Sequence, residues 1–172
     1  MNKPSIIIRL ATDQDARAIA AIHVASWQKI YRGYIPDTLL NNLSVSEREL
    51  QWRNLIHQKI KILVLEKENV LLGFASFGPS RDADTDSNIC GEISAIYLNP
   101  AIWHQGVGTQ LCNKVLSELE NMGCRYAILW VLKENNLARK FYESIGFTMT
   151  GDSKEDIYDK KVILNEVRFC QP

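Results

Sequence analysis

The chain has 172 residues, 46 % of them hydrophobic and 23 % charged, the make-up of a globular protein and not of a disordered, fibrous or membrane chain. A chain of this length is expected to form one domain, residues 1–172, and to bury roughly 70 % of its unfolded surface without disulfide support. Its 20 basic and 20 acidic residues cancel, which argues against nucleic-acid and membrane-surface partners, since both recruit clustered Lys and Arg.

The first fifteen residues carry only three consecutive apolar side chains before Arg9, too few for a secretory leader or a membrane span. Cys90, Cys112, Cys124 and Cys170 form no Cys-x-x-Cys pair and have no histidine at ligand spacing. They read as reduced thiols of a cytoplasmic protein, with no metal site.

"SIIIRL" reads as a first strand. Thr12 then opens a helix with Asp15 three residues on, close to a capping box. Ile19, Ile22, Ala25 or Ser26, and Ile30 mark its buried face. A second helix starts near Pro36 and a third at Ser46. "KILVLE" and "VLLGFASF" form two strands joined at "KEN", a hairpin. After the loop "GPSRDADTDSN" comes the strand "ICGEISAIYLNP", ended by Pro100.

Leu111, Val115, Leu119 and Met122 lie on one stripe of the clearest helix, and Gly123 caps it. "RYAILWVL" is a buried strand. "NNLARKFYESIGF" is a short helix between Asn135 and Gly146, and "DIYDKKVILNEVRF" supplies one or two last strands. The order gives a mixed sheet with helices on its faces, in the α/β or α+β range.

Two stretches bear on chemistry. "WHQGVG", placed between a strand and a regular helix, is the context in which backbone N–H groups and a helix dipole hold an anionic group. No Lys-Ser or Lys-Thr follows the glycines, so it is not a P-loop, and the third glycine of a dinucleotide fingerprint is missing. The later helix sets Asn135, Ala138 and Tyr142 on one face, at i, i+3 and i+7.

Together these stretches resemble the GNAT superfamily of acyl-CoA-dependent N-acyltransferases. The family's Q/R-x-x-G-x-G/A loop aligns with Trp103-His104-Gln105-Gly106-Val107-Gly108. Both glycines match, and Trp103 replaces the first polar residue. The N-x-x-A-x-x-x-Y motif with its following G-F matches at Asn135, Ala138, Tyr142, Gly146 and Phe147.

The resemblance implies a central mixed, mostly antiparallel sheet flanked by helices, with two splayed strands binding acetyl-CoA. Main-chain groups of Ile96, Tyr97 and Leu98 would pair with the pantetheine arm. The pyrophosphate would lie over His104, Gln105, Gly106, Val107, Gly108 and Thr109, with Asn135 and Ala138 beside the cofactor. Tyr142 resembles the family's acid for the leaving thiolate. Glu92 resembles the general base of the histone-acetylating branch, by its offset of fourteen residues from Gly106.

The acceptor wall is expected on the first helix and its loop, where Trp27 and Tyr31 recur at helical spacing and Tyr34 follows. Aromatic faces of this kind hold ammonium groups. The loop with Asp82, Asp84 and Asp86 lacks the glycine and the twelfth-position carboxylate of a calcium loop, and reads either as a solvated acidic loop or as a modest attraction for cationic amines.

The expected activity is direct acetyl transfer to a primary amine, of a small molecule in preference to a protein Lys or N-terminus. A non-catalytic acyl-CoA sensor is the reading of another class. A homodimer stays open.

Overall fold

In the computed structural model, which describes residues 5–158 and 162–172, alternation along one strand divides the core. In β2 (Lys61–Lys67) Ile62 and Val64 belong to one buried cluster, while Leu63 and Leu65 belong to another. Successive side chains of a strand point to opposite faces, so this sheet is covered on both. Helices α1 (Ala16–Ile30) and α3 (Val45–His57) cover the first cluster through Ile19, Ala20, Ile22 and Trp52. Helix α4 (Val107–Asn121) covers the second through Leu111, Val115 and Leu119.

The described residues form a seven-stranded sheet. With β1 (Ile6–Leu10), β3 (Val70–Pro79), β4 (Cys90–Leu98), β5 (Tyr126–Leu132), β6 (Thr148–Tyr158) and β7 (Val162–Gln171), its order is β1-β2-β3-β4-β5-β7-β6. The pair β4–β5 is parallel and every other neighbouring pair is antiparallel. Short α2 (Asp37–Asn41) follows Pro36 as expected, and α5 (Asn136–Ser144) precedes β6.

Several boundaries move. The third helix starts at Val45 and not at Ser46, because the Ser44 hydroxyl accepts from the Glu47 N–H at 3.2 Å and caps it. On α1 it is Ser26, not Ala25, that is buried. Met122, at the end of the α4 stripe, is 37 % exposed. The last strands, expected from Asp156, begin at Thr148; residues 159–161 of that stretch lie outside the described residues.

The feature that positions the site is a break in the sheet. Parallel pairing joins Cys90–Ile93 to Tyr126–Leu129 and then stops. On the other side of β4, Phe77 opposes Ile93 and Ser76 opposes Ala95, so Ser94 is an extra residue in the ladder. Such a bulge bends its strand. The Ser94 hydroxyl fixes it by donating to the Ser76 carbonyl at 3.1 Å. Beyond it, β4 and β5 diverge.

Candidate active site

Past the bulge, the β4 main chain alternates. The Asn99 N–H donates to the Leu72 carbonyl at 2.8 Å, so the polar groups of Tyr97 also face β3, and those of Ile96 and Leu98 face the gap. The Leu98 carbonyl there accepts from the Ser26 hydroxyl and the Trp103 indole, each at 3.1 Å. Among the described residues the Ile96 amide groups and the Leu98 N–H find no strand partner. Of the three residues expected to offer main-chain groups, Tyr97 does not; its phenol accepts from the Trp27 indole at 3.0 Å.

The gap opens into a cavity of about 730 Å³. At one end lies the glycine loop. His104 (φ 65°) and Gly106 (φ 76°) both take the left-handed conformation that turns the chain into α4. Glycine adopts that region freely, while a non-glycine residue there is strained. At Gly108 a Cβ would come within 3.1 Å of a Leu98 methyl and 3.4 Å of the Phe141 ring, so the absence of a side chain lets α4 approach β4 and α5. His104, Gly106, Gly108 and Thr109 line the cavity; Gln105 and Val107 do not. Val107 is buried and packs in the core.

Trp103, the departure from the family's loop, does not leave this end without charge. The Lys29 ammonium stands 5.1 Å from the centre of its ring, and both residues line the cavity. Lys29 was not among the residues expected at the site, because on sequence it is one exposed helical lysine among many.

A second cavity, of about 320 Å³, is lined by both diverging strands, β4 and β5. Tyr142, Asn135, Ala138 and Ile96 line both cavities. Asn135 caps α5, its side-chain carbonyl accepting from the Ala138 N–H at 3.1 Å. The Tyr142 ring is wedged among Phe141, Phe147 and Phe169. Its hydroxyl has no hydrogen-bond partner among the described residues, and burial pushes its pKa well above the ordinary phenol value.

Trp27 and Tyr31, with ring centroids 4.5 Å apart, line the second cavity; Tyr34 lines only the first, so the expected aromatic wall is divided. Trp130 of β5 completes it, with the Lys154 ammonium 4.2 Å from its ring centre. His23, in the neighbouring aromatic cluster, is held neutral: burial lowers its pKa to about 3, and its Nδ1 accepts from the Trp52 indole.

Glu92 is on the wall of this cavity, but both oxygens are engaged. Arg81 donates to them through its main-chain N–H, Nε and Nη2, at 2.8 to 3.1 Å. Burial raises the Glu92 pKa, yet the Arg81 hydrogen bonds and charge outweigh it and leave the carboxyl below its ordinary range. A carboxylate held this way is a weak proton acceptor.

The carboxylates of the acidic loop are also engaged. Arg168 donates to Asp82 and Asp84, and the Trp130 indole donates to Asp82. Asp82 and Asp84 are tied to Arg168 and line neither cavity, so they are not a free lure at the cleft. None of the four cysteines lines either cavity, and no group of three or more His, Cys, Asp or Glu among the described residues is arranged to hold a metal ion.

Comparison with known proteins fits this geometry. A model of the acetyltransferase (GNAT) family matches residues 27–147, from α1 through the end of the Tyr142 helix. The chain belongs to the GNAT acetyltransferase family. It is 35 % identical to the uncharacterized N-acetyltransferase YuaI of Bacillus subtilis over 130 residues, 76 % of this chain and 73 % of that one. It is 28 % identical over 89 residues to the L-methionine sulfoximine/L-methionine sulfone acetyltransferase of Salmonella typhimurium, 52 % of this chain and 51 % of that one. Among solved structures, the PaiA N-acetyltransferase of Thermoplasma acidophilum in complex with coenzyme A shares the GNAT fold, with a TM-score of 0.67 and 21 % identity over 94 % of this chain and 98 % of that one.

Proposed function

We propose that this GNAT enzyme moves the acetyl group of acetyl-CoA directly to a primary amine of a small molecule. One observation carries the reading: Tyr142 lines both cavities, as does Ile96, whose main-chain groups have no strand partner among the described residues.

The larger cavity fits the cofactor. The Ile96 amide groups and the Leu98 N–H are placed to pair with an amide-rich arm as a further strand does. The first N–H groups of α4, the Gly106–Gly108 turn and the Lys29 ammonium suit a pyrophosphate. Bound there, acetyl-CoA supplies an activated thioester. Tyr142, kept protonated by its burial, gives a proton to the departing sulfur. Glu92 fixes Arg81 at the acceptor side.

The smaller cavity supports a small acceptor. Trp27, Tyr31 and Trp130 give it an aromatic wall, and Glu92, Asp156 and Glu166 contribute carboxyl groups. A volume of about 320 Å³ suits an amine of amino-acid size, and the Salmonella relative acts on molecules of that size. The absence of a cysteine from either wall supports direct transfer, with no acyl-enzyme.

Calorimetric titration with acetyl-CoA, CoA and a long-chain acyl-CoA, followed by thiol release over a panel of amines, tests the reading. Micromolar binding of acetyl-CoA with turnover of small amines is expected. Binding without turnover would make the protein a sensor. Turnover of peptides alone would move the acceptor to proteins.

A further inference from the structure

Glu166 was not among the residues read from the sequence as functional. It lies on β7, opposite Leu132 of β5 and Lys154 of β6. Its side chain is 18 % exposed and makes no hydrogen bond among the described residues; the nearest cation is the Lys154 ammonium, 3.9 Å away. It lines the smaller cavity together with Tyr142. Glu92, the other carboxylate on that wall, has both oxygens tied to Arg81.

We propose that Glu166 binds the acceptor's ammonium and takes its proton. The proposal rests on the acetyltransferase reading and names the base within it. The Lys154 ammonium, standing between the Trp130 face and the Glu166 carboxylate, illustrates how this place receives a protonated primary amine.

The groups around Glu166 fit the task. Lys154 and Asp156 face it from β6, Tyr31 from α1 and Tyr97 from β4. Arg168, on its own strand, is committed to Asp82, Asp84 and Asp152. Burial raises the Glu166 pKa, the Lys154 charge lowers it and Asp156 raises it further, with a net shift upward. A carboxylate raised toward the working pH is a better base than one held down by an arginine.

The protons balance. The substrate ammonium gives one proton to Glu166 and becomes a neutral amine. Its nitrogen bonds to the acetyl carbon and the carbon–sulfur bond breaks. Tyr142 gives its proton to sulfur and regains one from the same nitrogen. Glu166 then returns its proton to solvent.

The test compares Glu166→Gln and Glu92→Gln with the wild type, using L-methionine sulfone and n-butylamine as acceptors. In Glu166→Gln, kcat/KM should fall about 100-fold at pH 7. The acid limb of its pH profile should vanish, while acetyl-CoA binds as before. Glu92→Gln should keep that limb. Independently of activity, carbon-13 NMR of the glutamate-labelled free protein should show the Glu166 carboxyl, assigned by its loss in Glu166→Gln, titrating above the ordinary midpoint of about 4.3.

A Glu166→Gln enzyme within threefold of the wild type, with its acid limb intact, would overturn the proposal. So would a Glu166 resonance titrating at or below the ordinary value. Failure of the wild type to bind acetyl-CoA, or binding with no turnover of any amine, would instead remove the acetyltransferase reading itself.

Discussion

Replacing Tyr142 by Phe removes one oxygen from a residue that lines both cavities. The ring stays where it is, edge-on to Phe141 at 5.3 Å and Phe147 at 5.8 Å between centroids, and the lost hydroxyl leaves no partner unsatisfied among the described residues. The melting temperature should therefore stay within about 2 °C of the wild type. The effect on rate is another matter. General acids contribute about 10²- to 10⁴-fold. A thiolate with a pKa of about 8.5 is a tolerable leaving group, which puts the expected loss at the low end, about 100-fold in kcat. That is about 2.7 kcal/mol of lost transition-state stabilisation.

Thiol release at saturating acetyl-CoA measures the rate, calorimetry measures cofactor affinity, and thermal unfolding controls for the fold. Affinity should be unchanged. Since burial keeps the phenol protonated, Tyr142 should add no basic limb to the wild-type pH profile below about pH 9. A Tyr142→Phe enzyme with kcat within twofold of the wild type would refute the assignment.

Lys29→Met should raise the Kd for acetyl-CoA about 5- to 10-fold and blunt its dependence on salt. It should leave the use of acetyl-pantetheine, which has no pyrophosphate, unchanged; equal losses with both would mean that Lys29 only packs on Trp103. Acid stability gives another check. Arg168 holds Asp84 below its ordinary pKa, and Thr150 with Arg168 does the same for Asp152. A lowered folded pKa stabilises fully above the unfolded carboxylate range and is lost as pH falls through it. The melting temperature should be level from about pH 8 to 5 and drop below about pH 4, less steeply in Arg168→Met. A level curve to about pH 3 would contradict that account.

The parts of the site that lie on one element were legible in the sequence. The Gly106–Gly108 turn shows itself by two glycines at a strand-to-helix junction, and Tyr142 by its helical spacing from Asn135 and Ala138. The parts that depend on distant partners were not. Nothing in the sequence marks that Arg81 reaches across eleven positions to occupy Glu92, or that Lys29 settles over Trp103, 74 positions later. Glu166 sits in a run whose alternation told only of a strand. The β6 strand was half lost for a different reason. It is an edge strand exposed along nearly all of its length, so burial imposes no alternating pattern on "TMTGDSKED". Its register irregularity between Met149 and Ser153 blurs the period further.

The short parallel joint between β4 and β5 has a thermodynamic consequence. Four residue pairs, Cys90–Ile93 with Tyr126–Leu129, are the direct ladder between one half of the sheet and the other. An acyl-CoA laid along Ile96 would act as a removable eighth strand, so the cohesion of the sheet becomes a function of coenzyme concentration. Mass action makes the size of that coupling calculable: at a hundred times its Kd, a ligand that binds only the folded chain adds about 2.7 kcal/mol. The protein's resistance to unfolding and to proteolysis would then rise and fall with the concentration of the coenzyme, before any acceptor is bound.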